Sequence, residues 1–338
     1  MIKNKKAHSH DLSEHEYSIE IMDCKKQNIM MRIIITISPL MLFLVILTAC
    51  TDPEIPPSPP SNLSVVAGDS QVELTWTIAI DTNIAYYSVY QSIENEEFDK
   101  YDNKIKINRA TIDNLQNGTT YRYYVTSSNE NDTESPKSNI VTARPTSYEY
   151  EVTVGWSLFE QSEYDEAKAA FLRATEIDNS AGEAHLGLGW SAVMLNQLSV
   201  AEYSFLQAIL KDADRVDIET GLSGIYLDSQ RFSDAVNCVN QVLQMNPSYQ
   251  FQHISSIDYL DLLLVSIQSF IRMGEEYFES AQNLLDNIEP SNGLDPSAPN
   301  TWLVGDTTYD SYLEALLKYT EHLNAQHALC RSRDSDER

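Results

Sequence analysis

Four kinds of patterning follow one another along the chain. Residues 33–49, IIITISPLMLFLVILTA, form a nearly unbroken apolar run behind Arg32. Residues 53–60, PEIPPSPP, favour polyproline II and predict a semi-rigid spacer of about 25 Å, at roughly 3.1 Å per residue. From Asn62 to about Pro145 the apolar positions alternate. Val72, Leu74 and Trp76 do so in QVELTWT, Tyr87 and Val89 in AYYSVYQS, and Tyr121, Tyr123 and Val125 in TYRYYV. Period-two burial with turns about every ten residues predicts a β-sandwich. From Tyr148 the spacing becomes helical and repeats in three gap-free units, 148–181, 182–215 and 216–249.

The repeat is legible in columns. Ala167, Ala201 and Ala235 share one; Phe171, Phe205 and Val239 another; Ala174, Ala208 and Val242 a third. Earlier in each unit stand Val154-Gly155, Leu188-Gly189 and Leu222-Ser223, and Pro247 closes the third unit. These columns resemble the tetratricopeptide repeat, which implies two antiparallel helices per unit. The family's early tryptophan position is occupied by Glu151, His185 and Glu219. A degenerate fourth unit is expected at 255–290. Ile257, Leu260, Leu264, Ile267 and Ile271 form one helical stripe before Gly274; Tyr277, Ala281, Leu284, Leu285 and Ile288 form a second before Pro290. Residues 291–310 read as a loop. Ser311-Tyr-Leu-Glu314 then makes a capping box for a helix over 311–326, whose Leu313, Leu316, Leu317 and Leu323 cover the open end of the solenoid. Residues 327–338 are expected to fray.

Residues 62–146 resemble a fibronectin type III domain. The resemblance rests on Pro-Pro-Ser-Asn-Leu at 59–63, Trp76, the corner Leu115-Gln-Asn-Gly-Thr119-Thr-Tyr121 with Asn117 in place of the family's proline, and the closing SNIVTARPT. In bacteria such domains serve mostly as spacers, and no Arg-Gly-Asp suggests integrin-type adhesion. The expected architecture is therefore multidomain, an all-β sandwich followed by an all-α repeat solenoid. Leu47-Thr48-Ala49-Cys50 resembles the lipobox of bacterial lipoproteins. That implies a signal region over 1–49, cleavage before Cys50, lipidation of its thiol, and a tether over 50–61. The apolar run taken alone also fits an uncleaved transmembrane helix. More than one acyl chain gives stable anchoring. Thr51, in place of Asp, implies the outer membrane if the source is Gram-negative. Residues 1–29 suit no signal peptide, so translation is expected to start at Met30 or Met31.

Charge and chemistry narrow the function. A net charge of −27 argues against nucleic acid as partner, since a binder needs a basic face to release counterions. Cys24, Cys50, Cys238 and Cys330 show neither CxxC nor a Cys/His cluster, so no metal is expected, and Cys238 reads as a small core residue. No HExxH, GxSxG, phosphate-binding loop or EF-hand spacing occurs. The acids of KDADRVDIE (Asp212, Asp214, Asp217, Glu219) lack calcium-loop spacing and its glycine, and read as an acidic inter-helix turn. No catalytic residues, cofactor or enzymatic activity are expected.

What remains is the concave face that the resemblance implies. Its groove positions carry Trp156, Trp190 and Gly224; Phe159, Val193 and Leu227; Glu160, Met194 and Asp228; and Glu149, Glu183 and Asp217. The family's carboxylate clamp is absent. The groove reads as aromatic and apolar with an acidic rim, suited to an apolar or basic protein segment. The two tryptophans fit either an open groove or the packing between helices. The expected function is a membrane-anchored interaction scaffold. A carbohydrate-handling or adhesion module is the alternative, with Tyr86, Tyr90 and Tyr124 on the outer face of the sandwich. Another is an assembly lipoprotein of the outer membrane.

Overall fold

A computed structural model describes the backbone of residues 15–19, 30–37, 48–50, 55–78, 80 and 83–336. At the N-terminus, β1 (His15–Ile19), β2 (Met30–Ile37) and β3 (Thr48–Cys50) pair antiparallel in the order β1-β2-β3. Most of the expected signal region, including 38–47 of the apolar run, lies outside the described residues. Among the described residues no helix is long and apolar enough to cross a membrane.

Seven strands form the sandwich: β4 (Ser61–Gly68), β5 (Gln71–Thr77), β6 (Tyr86–Ile93), β7 (Asp99–Ile105), β8 (Arg109–Ile112), β9 (Tyr121–Ser128) and β10 (Val141–Ala143). They make one sheet in the order β4-β5-β8 and another in the order β10-β9-β6-β7. The pleat explains the alternation. Val72, Leu74 and Trp76 of β5, Tyr87 and Val89 of β6, and Tyr121, Tyr123 and Val125 of β9 are all buried, while most of their neighbours are not. Register between β6 and β9 runs unbroken from Tyr86↔Ser128 to Ile93↔Tyr121. Trp76 meets Tyr87 edge-on at 5.4 Å. Asn117, standing where the family has proline, ties the corner through its side chain. It accepts from Ser70 N at 2.9 Å and donates to Asp69 at 2.8 Å.

The helical part begins with six helices in three pairs. They are α1 (Tyr148–Glu160) with α2 (Tyr164–Ile177), α3 (Gly182–Met194) with α4 (Leu198–Leu210), and α5 (Arg215–Asp228) with α6 (Phe232–Met245). Each pair is joined by a three-residue turn containing one left-handed residue, Ser162, Asn196 or Gln230, at φ 64, 55 and 60°. These three stand in one repeat column. Local caps help fix the ends: Ser147 Oγ accepts from Tyr150 N at the start of α1, and Asp214 from Val216 N at the start of α5.

Two aromatic rings set the spacing of the units. A Cβ added at Gly155 would lie 2.7 Å from the Phe171 ring, and one at Gly187 2.3 Å from the same ring. Gly189 and Gly221 clasp Phe205 likewise, both at 2.4 Å. Each ring of a second helix thus lies between glycines of its own unit's first helix and the next. In the third unit the columns change together: Val239 replaces the phenylalanine and Ser223 the glycine, so a smaller side chain accompanies a larger partner.

The fourth unit is α7 (Tyr259–Met273) and α8 (Phe278–Ile288), separated by Gly274 and a short 3-10 turn. Asp258 and Asp261 form a reciprocal capping box at α7. The expected loop after α8 contains a short hairpin, β11 (Leu303–Val304) with β12 (Thr307–Thr308). The last helix, α9 (Tyr312–Asp336), packs Tyr312, Ala315, Leu316 and Leu323 into the core of the fourth unit. Its backbone stays helical ten residues beyond the expected end at Gln326. The difference has a plain cause, as neither glycine nor proline interrupts 312–336.

Candidate functional site: the concave face and the segment that fills it

The polar residues at the family's tryptophan position are buried, each with partners. Glu151 receives Arg144 and Arg173, both at 2.9 Å, and Thr146 at 2.7 Å. Burial works to raise its carboxyl, but the hydrogen bonds from Arg173, Thr146 and Arg144 outweigh it and hold the group below the usual carboxylate range. His185 meets Asn179 at 3.0 Å, and Glu219 pairs with Arg215 at 3.0 Å. Cys238 is core, its thiol pushed up by burial beside Glu219.

The groove positions point where the family phase implies, but the face is not open. Trp156 is 8% exposed, Trp190 2% and Phe159 1%. Of the two placements that the sequence left open for the tryptophans, open groove or packed, both rings take the packed one. The cover comes from the chain itself, from the stretch between α6 and α7. Its backbone doubles back through Phe251 N→Ile257 O at 2.8 Å and Tyr259 N→Tyr249 O at 2.9 Å, with an antiparallel bridge at Gln250↔Asp258. From this tongue Tyr249, Phe251 and His253 turn inward. His253 stacks flat on Trp156, with centroids 3.7 Å apart and 2° between planes. Phe251 stacks on Trp190 at 4.2 Å and meets Phe159 edge-on at 6.4 Å.

Acids of the groove rim hold the polar ends of these rings. Glu160, more than half exposed, takes His253 Nδ1 at 2.9 Å. Asp217 accepts the Tyr249 hydroxyl at 2.8 Å, and Glu183 accepts the Trp156 indole N–H at 2.7 Å. Burial pushes the Asp217 carboxyl up to about 6 against the lowering effect of the Tyr249 hydrogen bond. The KDADRVDIE acids are thus used as a helix cap (Asp214), a tongue anchor (Asp217) and an ion pair (Glu219).

Beside the tongue lies a cavity of about 230 Å³. Its walls come from α3, the start of α4, α5, α7 and Ile257 of the tongue, with Trp190, Val193, Gly224, Asp228 and Val265 among them. The walls are mainly apolar; the Trp190 indole N–H, like that of Trp76, is buried without a hydrogen-bond acceptor among the described residues. Of the expected groove residues, Trp190, Val193, Gly224 and Asp228 line the cavity, and Trp156, Phe159, Glu160 and Asp217 receive the tongue. Met194 is exposed and borders neither. Cys50 ends β3; its thiol lies outside the described residues. The sequence reading missed Tyr249, Phe251 and His253. Their alternation behind Pro247 was the available signal, overlooked because that stretch falls between two repeats.

Comparison with known proteins identifies both parts. Residues 58–144 match the family model of the fibronectin type III domain, and residues 154–217 that of the tetratricopeptide repeat. The chain carries a fibronectin type III domain followed by a tetratricopeptide repeat. The repeat match ends near the start of the third helical pair, and the helices continue through α9 in the structure. Among solved structures, an Fn3-like protein from Clostridium thermocellum is 24% identical, covering 25% of this chain and 90% of its own, at a TM-score of 0.23. The fibronectin type III domain of the human fibronectin type III domain containing protein 3 is 21% identical over 29% of this chain and 93% of its own, at 0.26. The twitchin kinase region from C. elegans is 15% identical over 27% of this chain, which spans only 17% of that region, at 0.26. No curated protein matches the sequence. Fibronectin and tetratricopeptide domains are generally non-catalytic, and tetratricopeptide domains generally bind proteins or peptides, so the pair suggests an interaction or adhesion module.

Proposed function

We propose that this chain is a non-enzymatic, lipid-anchored scaffold that captures a protein partner on the concave face of its repeats, with the fibronectin domain as spacer. The anchor reading rests on Leu47-Thr48-Ala49-Cys50 and the proline-rich stretch behind it. If the source is Gram-negative, Thr51 favours the outer membrane. One observation carries the interaction reading: a mainly apolar cavity of about 230 Å³ opens beside the tongue, lined by Trp190, Val193, Gly224 and Val265 together with Asp228. An apolar side chain of a partner segment would fill that space. The acids nearby favour a neutral or basic segment over an acidic one.

Crosslinking and pull-down from native membranes tests the reading. Asp228→Lys with Val193→Asp should abolish capture while circular dichroism stays unchanged; undiminished capture would sink the cavity as the site. Mass analysis of the mature N-terminus should find Cys50 acylated and residues 1–49 removed, and an unmodified Cys50 would end the anchor reading.

A second reading has its own observation. On the outer face of the sandwich Tyr90 and Tyr124 stack at 4.6 Å, the kind of aromatic pair that a sugar ring could cover. Phe98 already lies against Tyr124, however, and Lys100 sits over the Tyr90 ring at 5.0 Å, which leaves less of these faces for a glycan. Glycan binding that survives deletion of residues 148–338 would favour this module. An outer-membrane assembly role remains the third reading, distinguished by the partners recovered.

A further inference from the structure

Residues 246–258 are long for a helix connection, which commonly needs about 2–8 residues. The turns inside the repeats are short, as at Gln161–Glu163. The extra length builds the tongue. Tyr249, Phe251 and His253 face the helices while Gln250 and Gln252 are exposed. This alternate-side presentation is how an extended peptide fills a row of pockets. The receptors for the three rings sit on α1 (Trp156, Phe159, Glu160), α3 (Trp190) and α5 (Asp217). The helices that the tongue joins, α6 and α7, supply none of these. The first unit and the tongue are also remote in sequence, Glu160 and His253 being 93 positions apart.

The fit is incomplete at one end. Phe251 covers the Trp190 ring, but the tongue leaves a cavity of about 230 Å³ beside Ile257. Residues 249–257 carry no charge except on His253 when protonated, while the face they cover carries Glu160, Glu183 and Asp217. We infer that the concave face recognises an extended, neutral-to-basic segment with aromatic side chains at alternate positions, and that residues 249–257 are an internal ligand of this class which a partner displaces. The inference rests on the interaction reading above and specifies its partner. A partner whose side chain fills the cavity makes contacts that the tongue does not, which is what displacement requires.

The test empties the tongue in the full chain by Tyr249→Ser, Phe251→Ser and His253→Ser, then adds a synthetic peptide of residues 246–258. Tryptophan fluorescence and calorimetry read binding, and circular dichroism reads helicity. The emptied chain should bind the peptide at least about tenfold more tightly than the intact chain, because its face is free rather than self-occupied. A shuffled peptide with adjacent aromatics should not bind. A helical emptied chain that ignores the peptide overturns the inference. So does light scattering that shows the intact chain exchanging tongues between two copies. Should the emptied chain lose its helices, hydrogen exchange on the intact chain decides. Amides of Phe251 and Tyr259 should exchange before those of α3 and α5; exchange only with those helices overturns the inference. Failure here alongside intact partner capture at Asp228 and Val193 would leave the broader interaction reading standing.

Discussion

At the scale of residues, the repeat is held by complementary sizes rather than by any one side chain. Phe205 fits because Gly189 and Gly221 have no Cβ. Gly189→Ser should therefore cost about 1–3 kcal/mol by overpacking. Adding Phe205→Val should recover part of that loss, since the third unit already pairs Ser223 with Val239. Urea denaturation of the single and double variants measures this, and strict additivity would refute the pairing. Trp190→Ala removes a ring 2% exposed and should cost about 3–5 kcal/mol, so loss of capture in that variant would not by itself identify a binding residue. Two carboxylates give opposite pH responses. Glu151 lies below its ordinary value, so its contribution is present at neutral pH and lost as pH falls through its folded pKa. Asp217 is raised from 3.8 to about 6, so the folded state holds a proton that the unfolded state has released. Its contribution is full below 3.8 and lost as pH rises to about 6. Around Asp217 stand Tyr249 and His253 of the tongue, Asp214 before α5 and Glu183 of α3. Asp217→Asn should flatten the part of the stability–pH curve between those two values, as thermal melts across a pH series would show.

At the scale of elements, boundaries follow local chemistry wherever that chemistry repeats. The left-handed turn recurs at Ser162, Asn196 and Gln230. A glutamine there bears the crowding of its Cβ, whereas asparagine tolerates this conformation better. Gln230→Gly should stabilise the helical unit by about 0.5–1 kcal/mol, and Asn196→Gly by less. A loss of stability at position 230 would show that the glutamine side chain contributes contacts beyond the turn. Asp258 acts at two levels, as the cap of α7 and as the base of the tongue through its bridge to Gln250. Asp258→Ala should cost about 0.5–2 kcal/mol, with faster exchange of the Phe251 amide as its local signature. The six helices of the first three units, the stripes of α7 and α8 and the start of α9 were legible because capping and 3.6-residue periodicity act within a few turns. The end of α9 was not, since fraying has no sequence signal beyond polarity.

At the scale of the whole molecule, acidity sets the terms of association. With a net charge of −27, long-range attraction favours basic partners, and it should weaken as salt shortens the screening length from about 10 Å at 0.1 M. Capture that is unchanged between low and high salt would show that apolar contact alone drives it. The class of architecture followed from sequence alone. A switch from period two to period 3.6 marks a sandwich giving way to helices, and the gap-free columns count three helical pairs. Each such signal depends on neighbours within one or two turns of chain. Which side of the repeat remains available to a partner did not follow. Trp156 and Trp190 occupy groove positions by their phase, and phase cannot report what lies above them. Tertiary structure decided that, by laying Phe251 and His253 across both indoles from far along the chain. Burial of the aromatic face is a long-range event between segments whose local patterns carry no record of each other.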